Sequence, residues 1–219
     1  ALFLALATPR PVFTGATTAT SSLDVVISEI AWMGTKHEGS DVACANCHTI
    51  HAARDPVLTR MTQPDVCFKC HTMQRADFYK PSNHPVRFGQ IACTECHNPH
   101  GAISASLLVR PTLNETCYTC HAEKRGPFLW EHAPVPEDCT LCHTPHGSNH
   151  APLLVRQRPQ LCQQCHENVR AQGSRHVRRF LDFSNADANR GRFIVGESCQ
   201  NCHSHVHGSN HPSGANLLR

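Results

Sequence analysis

Apolar residues occur along the chain in short runs that polar residues, proline and glycine interrupt. The opening run, residues 1–7, holds seven apolar residues. A membrane-spanning helix needs about 20, so the pattern predicts no transmembrane helix. Residues 114–124 and 160–172 lack proline and glycine and follow turn-forming residues, which predicts short helices there. The remaining segments predict coil, with little or no β-sheet.

The chain has too few large apolar side chains to build an ordinary core for its 219 residues. Aromatic residues make up only 6%, whereas there are 15 prolines and 12 glycines. Cysteine and histidine are abundant instead, with 14 and 18 copies. We therefore infer that a group bound by cysteine and histidine takes the place of the usual core.

All 14 cysteines fall into seven C-x-x-C pairs, numbered I to VII here, and a histidine directly follows every pair. C-x-x-C-H is the attachment motif of c-type haem: both thiols form thioethers with the haem, and the histidine is the proximal iron ligand. The predicted attachment residues are Cys44, Cys47, Cys67, Cys70, Cys93, Cys96, Cys117, Cys120, Cys139, Cys142, Cys162, Cys165, Cys199 and Cys202. The predicted proximal ligands are His48, His71, His97, His121, His143, His166 and His203.

Zinc sites and disulfides are the other common explanations for paired cysteines. Neither of them requires a histidine after each pair, yet every one of the seven pairs has one. The motifs therefore predict seven c-type haems, with their iron, as the cofactors of this chain.

The motifs repeat as pairs, because odd-numbered motifs are followed by a second histidine that even-numbered motifs lack. Similar short sequences recur after odd motifs: Pro99-His100-Gly101 matches Pro145-His146-Gly147, and the glycine predicts a tight turn. These repeats predict a multihaem cytochrome c, mostly coil with short α-helices, whose core is a row of stacked haems. We expect residues 1–36 to form an N-terminal extension and residues 37–219 a seven-haem domain of repeated two-haem units.

Histidines outside the motifs supply candidates for the second axial position of each iron. Every two-haem unit has one such histidine upstream of its odd motif and one just after it. These distal candidates are His37, His51, His84, His100, His132, His146, His176 and His207. Eight candidates exceed seven irons, so one is surplus: either His37, whose partner would lie further upstream, or one of His176 and His207. We expect His37 to serve the haem of motif I within the chain; the alternative is that it reaches a haem in a neighbouring subunit of a polymer.

Three further histidines, His150, His205 and His211, fall outside this repeat and are expected to be exposed to solvent. The methionines follow no repeat either, so methionine ligation is not expected to be general. Ligation by two histidines closes both faces of a haem iron and gives a lower potential than histidine–methionine ligation. The pattern thus predicts electron transfer by mainly bis-histidine haems.

The formal net charge of +3 leaves out the cofactors. With two propionates on each of seven haems, the holoprotein carries roughly −4 when oxidised and −11 when reduced. A basic surface that would bind nucleic acid is therefore not expected. Five arginines between motifs VI and VII form either a solvated loop or partners for propionates. They are Arg175, Arg178, Arg179, Arg190 and Arg192.

Covalent haem attachment takes place outside the bacterial cytoplasmic membrane, so we expect an exported protein. The location is expected to be periplasmic, with outer-membrane association or an extracellular position as alternatives. Residues 1–7 are typical of the end of a signal peptide, and the alternatives are an unusual mature start or a short docking segment.

From Cys67 to His166 the sequence resembles the periplasmic decahaem c-type cytochromes of outer-membrane electron conduits, the MtrA/DmsE type. The stretches that carry this resemblance are residues 83–86, 93–101, 121–128, 130–135 and 142–150. The resemblance implies a long wire of bis-histidine haems, usually threaded into an outer-membrane barrel that meets an outer cytochrome. Seven motifs rather than ten make this chain a shortened member with the N-terminal three missing. A periplasmic shuttle, or subunits joined end to end, is the alternative.

Electron transfer with other redox proteins as partners is the expected function, and no enzymatic activity is expected. A multihaem reductase of nitrite or sulfur oxyanions is the enzymatic alternative. Such enzymes keep an open iron position and often replace the motif histidine with lysine, whereas all seven motifs here keep histidine. A polymerised extracellular cytochrome filament is a third hypothesis, in which copies of the chain are the partners. In a row of haems, those of motifs I and VII are the expected points of electron exchange.

Overall fold

The computed structural model describes residues 31–166 and 199–218. The expectations for residues 1–7, for the five arginines between motifs VI and VII and for His176 lie outside these residues. The described chain consists of short helices joined by turns and coil, and its extended segments pair only through isolated β-bridges. The prediction of a mostly coiled fold with little sheet is confirmed. Within the described ranges, no helix is both long enough and apolar enough to cross a membrane.

The longest α-helices of the described residues span only six residues. The α-helices are α1 (Cys44–Cys47), α2 (Gln63–Cys67), α3 (Thr72–Asp77), α4 (Leu113–Tyr118), α5 (Pro134–Glu137) and α6 (Gln160–Gln163). Single 3₁₀ turns lie at Glu38–Ser40, Pro56–Leu58, Pro85–Phe88, Cys93–Glu95, Ala105–Leu107, Ala122–Lys124, Cys139–Leu141 and Cys199–Asn201. Isolated helices of this length are unstable in water, so tertiary contacts must hold them.

The helices predicted from the sequence are present but shorter than expected. The segment 114–124 contains α4, which begins where the Thr112 hydroxyl accepts a hydrogen bond from Glu115 N–H at 3.1 Å. The backbone of His121 then leaves the helical region, and a separate 3₁₀ turn follows. Of the segment 160–172, α6 occupies the first four residues, and the part beyond residue 166 is not among the described residues.

All seven C-x-x-C-H motifs form the same single turn. In each motif the histidine N–H donates a hydrogen bond to the carbonyl of the first cysteine, at 2.8 to 3.0 Å. This turn brings both cysteine side chains and the histidine to one side of a short backbone loop. The repeat of the sequence is therefore also a repeat of local structure.

The leucine-rich runs fold back on the odd motifs. Around motif III, Asn98 N–H donates to the carbonyl of Leu107 at 2.7 Å, and Val109 N–H donates to the carbonyl of Cys96 at 3.0 Å. The same bonds form around motif V: Thr144 N–H donates to the carbonyl of Leu153, and Val155 N–H donates to the carbonyl of Cys142. Each of these runs thus covers an odd motif before the chain continues to the next even motif.

Neighbouring two-haem units are joined by short antiparallel bridges. Ser82 and Ser148 exchange backbone hydrogen bonds of 3.1 and 2.8 Å, and Trp130 and Ser209 exchange bonds of 3.0 and 2.9 Å. In both bridges the first residue lies just before a histidine upstream of an odd motif, and the second lies just after a downstream histidine. These bridges place histidines of successive units side by side.

The polypeptide contributes little apolar core of its own. In the described part of the chain, one cluster of Phe68, Phe78 and Val86 is buried, with Ile91 packed against it. No side chain in that part is completely removed from solvent. This agrees with the scarcity of large apolar residues in the sequence, and it leaves most of the interior to be filled by another group.

Candidate haem-binding sites

Six of the seven proximal histidines lie opposite a second histidine at a nearly constant distance. Their ring centroids are 5.9 to 6.3 Å apart. The pairs are His48 with His100, His71 with His37, His97 with His146, His121 with His84, His143 with His207, and His166 with His132. Two metal–nitrogen bonds of about 2 Å, with roughly 1 Å from each nitrogen to its ring centre, require about 6 Å. Each pair therefore leaves room for one iron atom between its rings.

The pairs follow one rule. A proximal histidine of motif I, III or V pairs with the histidine that follows the odd motif of the next unit; we call His100, His146 and His207 the downstream histidines. A proximal histidine of motif II, IV or VI pairs with the histidine upstream of the odd motif in its own unit. These upstream histidines are His37, His84 and His132. Half of these histidine pairs therefore join two successive units.

The structure places two candidates for the surplus ligand beside a motif histidine. His37 lies 6.1 Å from His71 of motif II, whereas ligation within the chain was expected at motif I. His207 is likewise paired, with His143. The candidate left without a ring partner among the described residues is His51, whose side chain is exposed. Of the three histidines expected to be exposed to solvent, His211 and His205 are exposed.

His150 is only partly exposed, which differs from the expectation for it. Its backbone N–H donates a hydrogen bond to the Ser148 hydroxyl at 2.9 Å, and it forms an isolated bridge with Leu154. The residue is covered because it belongs to the turn that holds the preceding His146. No aromatic ring of the described chain pairs with its imidazole in the way seen for the downstream histidines.

Hydrogen bonds orient the upstream histidines. Nδ1 of His37 donates to the carbonyl of Pro99 at 3.1 Å, and Nδ1 of His84 donates to the carbonyl of Pro145 at 2.7 Å. The third bond joins His132 to the carbonyl of Val206 at 2.9 Å. A carbonyl can only accept, so these bonds keep the proton on Nδ1 and leave Nε2 unprotonated, as iron binding requires. Each acceptor carbonyl directly precedes a downstream histidine.

The proximal histidines of odd motifs are oriented in a similar way, with one difference. Nδ1 donates to a backbone carbonyl in motifs III, V and VII; the acceptors are Ser106, Pro152 and Asn216, at 2.8, 3.0 and 2.6 Å. In motif I, His48 donates instead to the carboxylate Oδ2 of Asp55 at 2.7 Å. Burial opposes ionisation of Asp55, but the hydrogen bonds from His48 and the backbone outweigh it and lower the pKa of that carboxyl.

The downstream histidines are held in the neutral form. Burial lowers the pKa of His100, His146 and His207, and positive charge nearby, including that of the paired proximal histidine, lowers it further. At neutral pH these imidazoles are therefore uncharged, and the neutral imidazole is the form that binds a metal. The same burial lowers the pKa of His143.

A glycine follows every downstream histidine, and each is packed against the segment that leads to an upstream histidine. A Cβ atom at Gly101 would overlap the carbonyl oxygen of Ala31, and one at Gly147 would overlap that of Asp77. At Gly208 it would overlap the ring of Phe128. The sequence pattern predicted that these glycines are turn residues. Gly147 shows that close approach between units is the stronger requirement, because its backbone does not adopt a positive φ.

We predict that Gly147→Ala destabilises the protein by about 1–3 kcal/mol or more, because the added Cβ meets backbone rather than a movable side chain. The displaced segment carries His146, so the haem spectrum of motif III is expected to change as well. Thermal unfolding and absorption spectra of the holoprotein measure both effects. Gly39→Ala is the control, since nothing lies within 4 Å of its Cβ position. Equal stability of the two variants would contradict the packing argument.

Within a two-haem unit, the motifs approach each other through their second cysteines. Burial raises the pKa of Cys47, and the neighbouring thiols of Cys67 and Cys70 raise it further. The same causes act on Cys96, next to motif IV, and on Cys142, next to motif VI. The odd and even motifs of one unit are therefore direct neighbours.

Between units, the motifs approach through their first cysteines. The adjacent thiols are those of Cys67 with Cys93, Cys117 with Cys139, and Cys162 with Cys199. A hydrogen bond between thiols raises the pKa of Cys67 and lowers that of Cys93. Burial and the nearby Cys199 raise the pKa of Cys162 to about 11. Motifs I to VII thus follow one another in space in the order of the sequence.

Two buried carboxamides fix the junctions between units. The Gln63 side chain, in front of motif II, accepts a hydrogen bond from Thr94 N–H at 3.2 Å and donates one to the Thr94 hydroxyl at 3.2 Å, inside motif III. Asn114, in front of motif IV, accepts a bond from Cys139 N–H at 2.8 Å and donates to the carbonyl of Val135. Each amide joins an even motif to the odd motif that follows it.

Several residues near the histidine pairs were not found from the sequence. The Trp32 ring stacks on His37 at 5.7 Å and lies 6.4 Å from His100, so part of the segment assigned to the N-terminal extension contacts the first pairs. Asp55 and Trp32 have no identical residue at the equivalent position of another unit, so the sequence repeat does not reveal them. Gln63 and Asn114 had a weak signal: both are amides three or four residues before the first cysteine of an even motif.

The thiols and imidazoles together supply the donor set of c-type haem. All 14 cysteines are free thiols. Haem iron takes two axial ligands from the protein, and each of the six imidazole pairs offers two.

A model of the doubled CXXCH motif matches residues 37–76, 83–126 and 132–171, which cover motifs I to VI and the three pairs of upstream and even-motif histidines. The chain belongs to this family, and it is a multihaem c-type cytochrome. It is 55% identical over 192 residues to the protein named multiheme cytochrome MtrA from Shewanella baltica (strain OS185). That alignment covers 87% of this chain and 56% of the relative, so the chain spans about half the length of the relative. The resemblance inferred from the sequence is confirmed.

Proposed function

We propose that the chain transfers electrons along a row of seven covalently bound, mainly bis-histidine haems. The observation that carries this proposal is the set of imidazole pairs, each with a gap of one iron between its rings. When bound, haem supplies an iron centre that accepts and releases single electrons. The protein then has to hold the irons close together, supply both axial ligands and exclude substrates from the metal.

Each part of the motif has a role in this proposal. The cysteine pairs of motifs I to VII fasten the haems, the motif histidines are proximal ligands, and the upstream and downstream histidines are distal ligands. Motif VII lies beyond the segments that match the family model. The proposal of a haem there is supported by its C-x-x-C-H sequence and by the turn that it shares with the other motifs. Its contact with motif VI through Cys162 and Cys199 supports a continuous row.

The pairing also favours an electron carrier over an enzyme. Substrate reduction at a haem requires a vacant axial position, and six of the motif histidines lie opposite a second imidazole. A filament held together by His37 would need that residue to reach a second copy, whereas its ring lies beside His71 of the same chain. We therefore propose a periplasmic wire rather than a reductase or a polymer.

The partners we propose are other redox proteins: donors in the periplasm, and an acceptor at the outer membrane or outside the cell. Similarity to a multiheme cytochrome and covalent haem attachment support an exported location. An outer-membrane barrel and an outer cytochrome are the partners that the family resemblance implies. Reconstitution of electron transfer from a reduced periplasmic cytochrome across a barrel-containing vesicle would test this part of the proposal.

Changing one distal histidine is expected to alter one haem. His146→Ala should turn the haem of motif III from low-spin to high-spin, and His132→Ala should do the same at motif VI, because each variant removes one ligand of a pair. Each variant should also gain one binding site for carbon monoxide or cyanide. Electron paramagnetic resonance and ligand titration measure the spin state and the number of sites.

His150→Ala is the matched control, since this residue lies four positions after His146 and its imidazole has no ring partner in the described chain. It should leave the spin state of every haem unchanged. A distal-histidine variant with an unchanged spectrum would show that the residue is not a ligand. Loss of more than one low-spin signal would show that the variant has disturbed the row and not a single site.

A further inference from the structure

The hydrogen bond of the proximal histidine in motif I ends on a charged group. In motifs III, V and VII the equivalent Nδ1–H donates to a backbone carbonyl. In motif I, His48 donates to Oδ2 of Asp55 at 2.7 Å. A carboxylate acceptor withdraws the Nδ1 proton more strongly than a carbonyl does, and this makes the imidazole a more basic ligand.

Asp55 is held in position for this bond. Its other oxygen, Oδ1, accepts hydrogen bonds from Val57 N–H at 3.3 Å and from the Thr49 hydroxyl at 3.5 Å. The Asp55 side chain is only 14% exposed and that of His48 is 29% exposed, so water screens the pair incompletely. The carboxylate is therefore both oriented and shielded.

A second carboxylate lies near a proximal histidine without this geometry. Glu123 Oε1 is 3.8 Å from Nδ1 of His121 in motif IV, which is too far for a hydrogen bond. Both side chains are more than half exposed, at 60% and 56%. Distance and water therefore weaken the influence of Glu123 on its histidine. This pair provides a comparison inside the same molecule.

We propose that Asp55 is a tuning residue, which lowers the reduction potential of the haem at motif I below that of the haems at motifs III and V. The proposal rests on the proposed function, because it assumes that His48 and His100 ligate one iron. A more basic, more negative ligand stabilises ferric over ferrous iron. Reduction adds one electron from a redox partner, and the proton stays on Nδ1 of His48.

The consequence for the wire is a preferred direction from the haem of motif I towards the haems of motifs III and V. An electron that leaves the haem of motif I for these sites would return to it less readily. The carbonyl acceptors of motifs III and V supply no comparable difference between those two sites.

The test uses the full holoprotein in which the haem of motif I has been marked. His100→Ala should turn this haem from low-spin to high-spin, so its potential can be followed at the new high-spin signal. Asp55→Asn is then added, because asparagine retains an oxygen for Val57 N–H and preserves the local turn. At a fixed potential near the midpoint, the ferrous-to-ferric ratio of the high-spin haem should rise about tenfold, or 59 mV for one electron.

Glu123→Gln in the same background is the matched control and should leave the high-spin potential unchanged. In the unmarked protein, Asp55→Asn should raise one of the resolved potentials and leave the spin state of every haem unchanged. A high-spin haem whose potential does not respond to Asp55→Asn would overturn this inference alone. Failure of His100→Ala to produce any high-spin haem would overturn the ligand pairing and hence the proposed function.

Discussion

Without covalent haem, the chain is expected to be unfolded. In the part of the chain that the structure describes, the helices are at most six residues long and the buried cluster contains only Phe68, Phe78 and Val86. So small an apolar cluster cannot offset the loss of conformational entropy on ordering the chain.

The measurement compares the holoprotein with the same chain produced without the attachment machinery. Circular dichroism and thermal unfolding should show a cooperative transition only in the holoprotein, and the intact mass of the holoprotein should exceed that of the polypeptide by seven haems. A mass increase of only six haems would indicate that motif VII carries no haem. A compact apoprotein with a cooperative transition would contradict the view that haem forms the core.

Replacing all downstream histidines together is expected to affect the odd motifs alone. With His100, His146 and His207 changed to alanine, the haems of motifs I, III and V should become high-spin, because each of them loses its ligand from the next unit. The haems of motifs II, IV and VI keep both histidines. The number of carbon monoxide sites should therefore rise by three.

The complementary triple variant removes His37, His84 and His132 and should convert the haems of motifs II, IV and VI instead. A control in which His150, His205 and His211 are replaced should show no change in spin state. High-spin signals shared between odd and even motifs in either triple variant would show that the ligands are not distributed by this rule. Magnetic circular dichroism distinguishes the ligand sets.

The sequence predicts the chemistry of the sites well because that chemistry is local. The turn that joins two cysteines and a histidine is closed by one hydrogen bond within the motif, so its sequence defines its structure. The candidates for distal ligands also follow from the repeat. The short helices around motifs IV and VI were predicted for the same reason, although the motif itself ends each helix earlier than the pattern indicates.

The partner of each distal histidine was not predictable in this way. His37 and His48 lie in one unit, and proximity along the chain suggested that they share a haem. The structure brings His100 to His48, and the Ser82–Ser148 and Trp130–Ser209 bridges show how successive units are aligned for such an exchange. Those bridges join residues far apart in the sequence and have no pattern of their own. Contacts of this kind are set by tertiary structure.

The alternating ligand rule has a consequence for the order in which the protein matures. For the even motifs, both histidines of a pair have been exported once the motif itself emerges, because His37, His84 and His132 precede their partners in the chain. For the odd motifs the second histidine comes later in the chain: the histidine pair of motif III is complete only after His146 has been exported, and that of motif V only after His207. On the proposed ligation, a newly attached haem at an odd motif would therefore have one open coordination position for a time. Even haems would be protected from stray ligands at once, while odd haems would acquire that protection from the next segment of polypeptide.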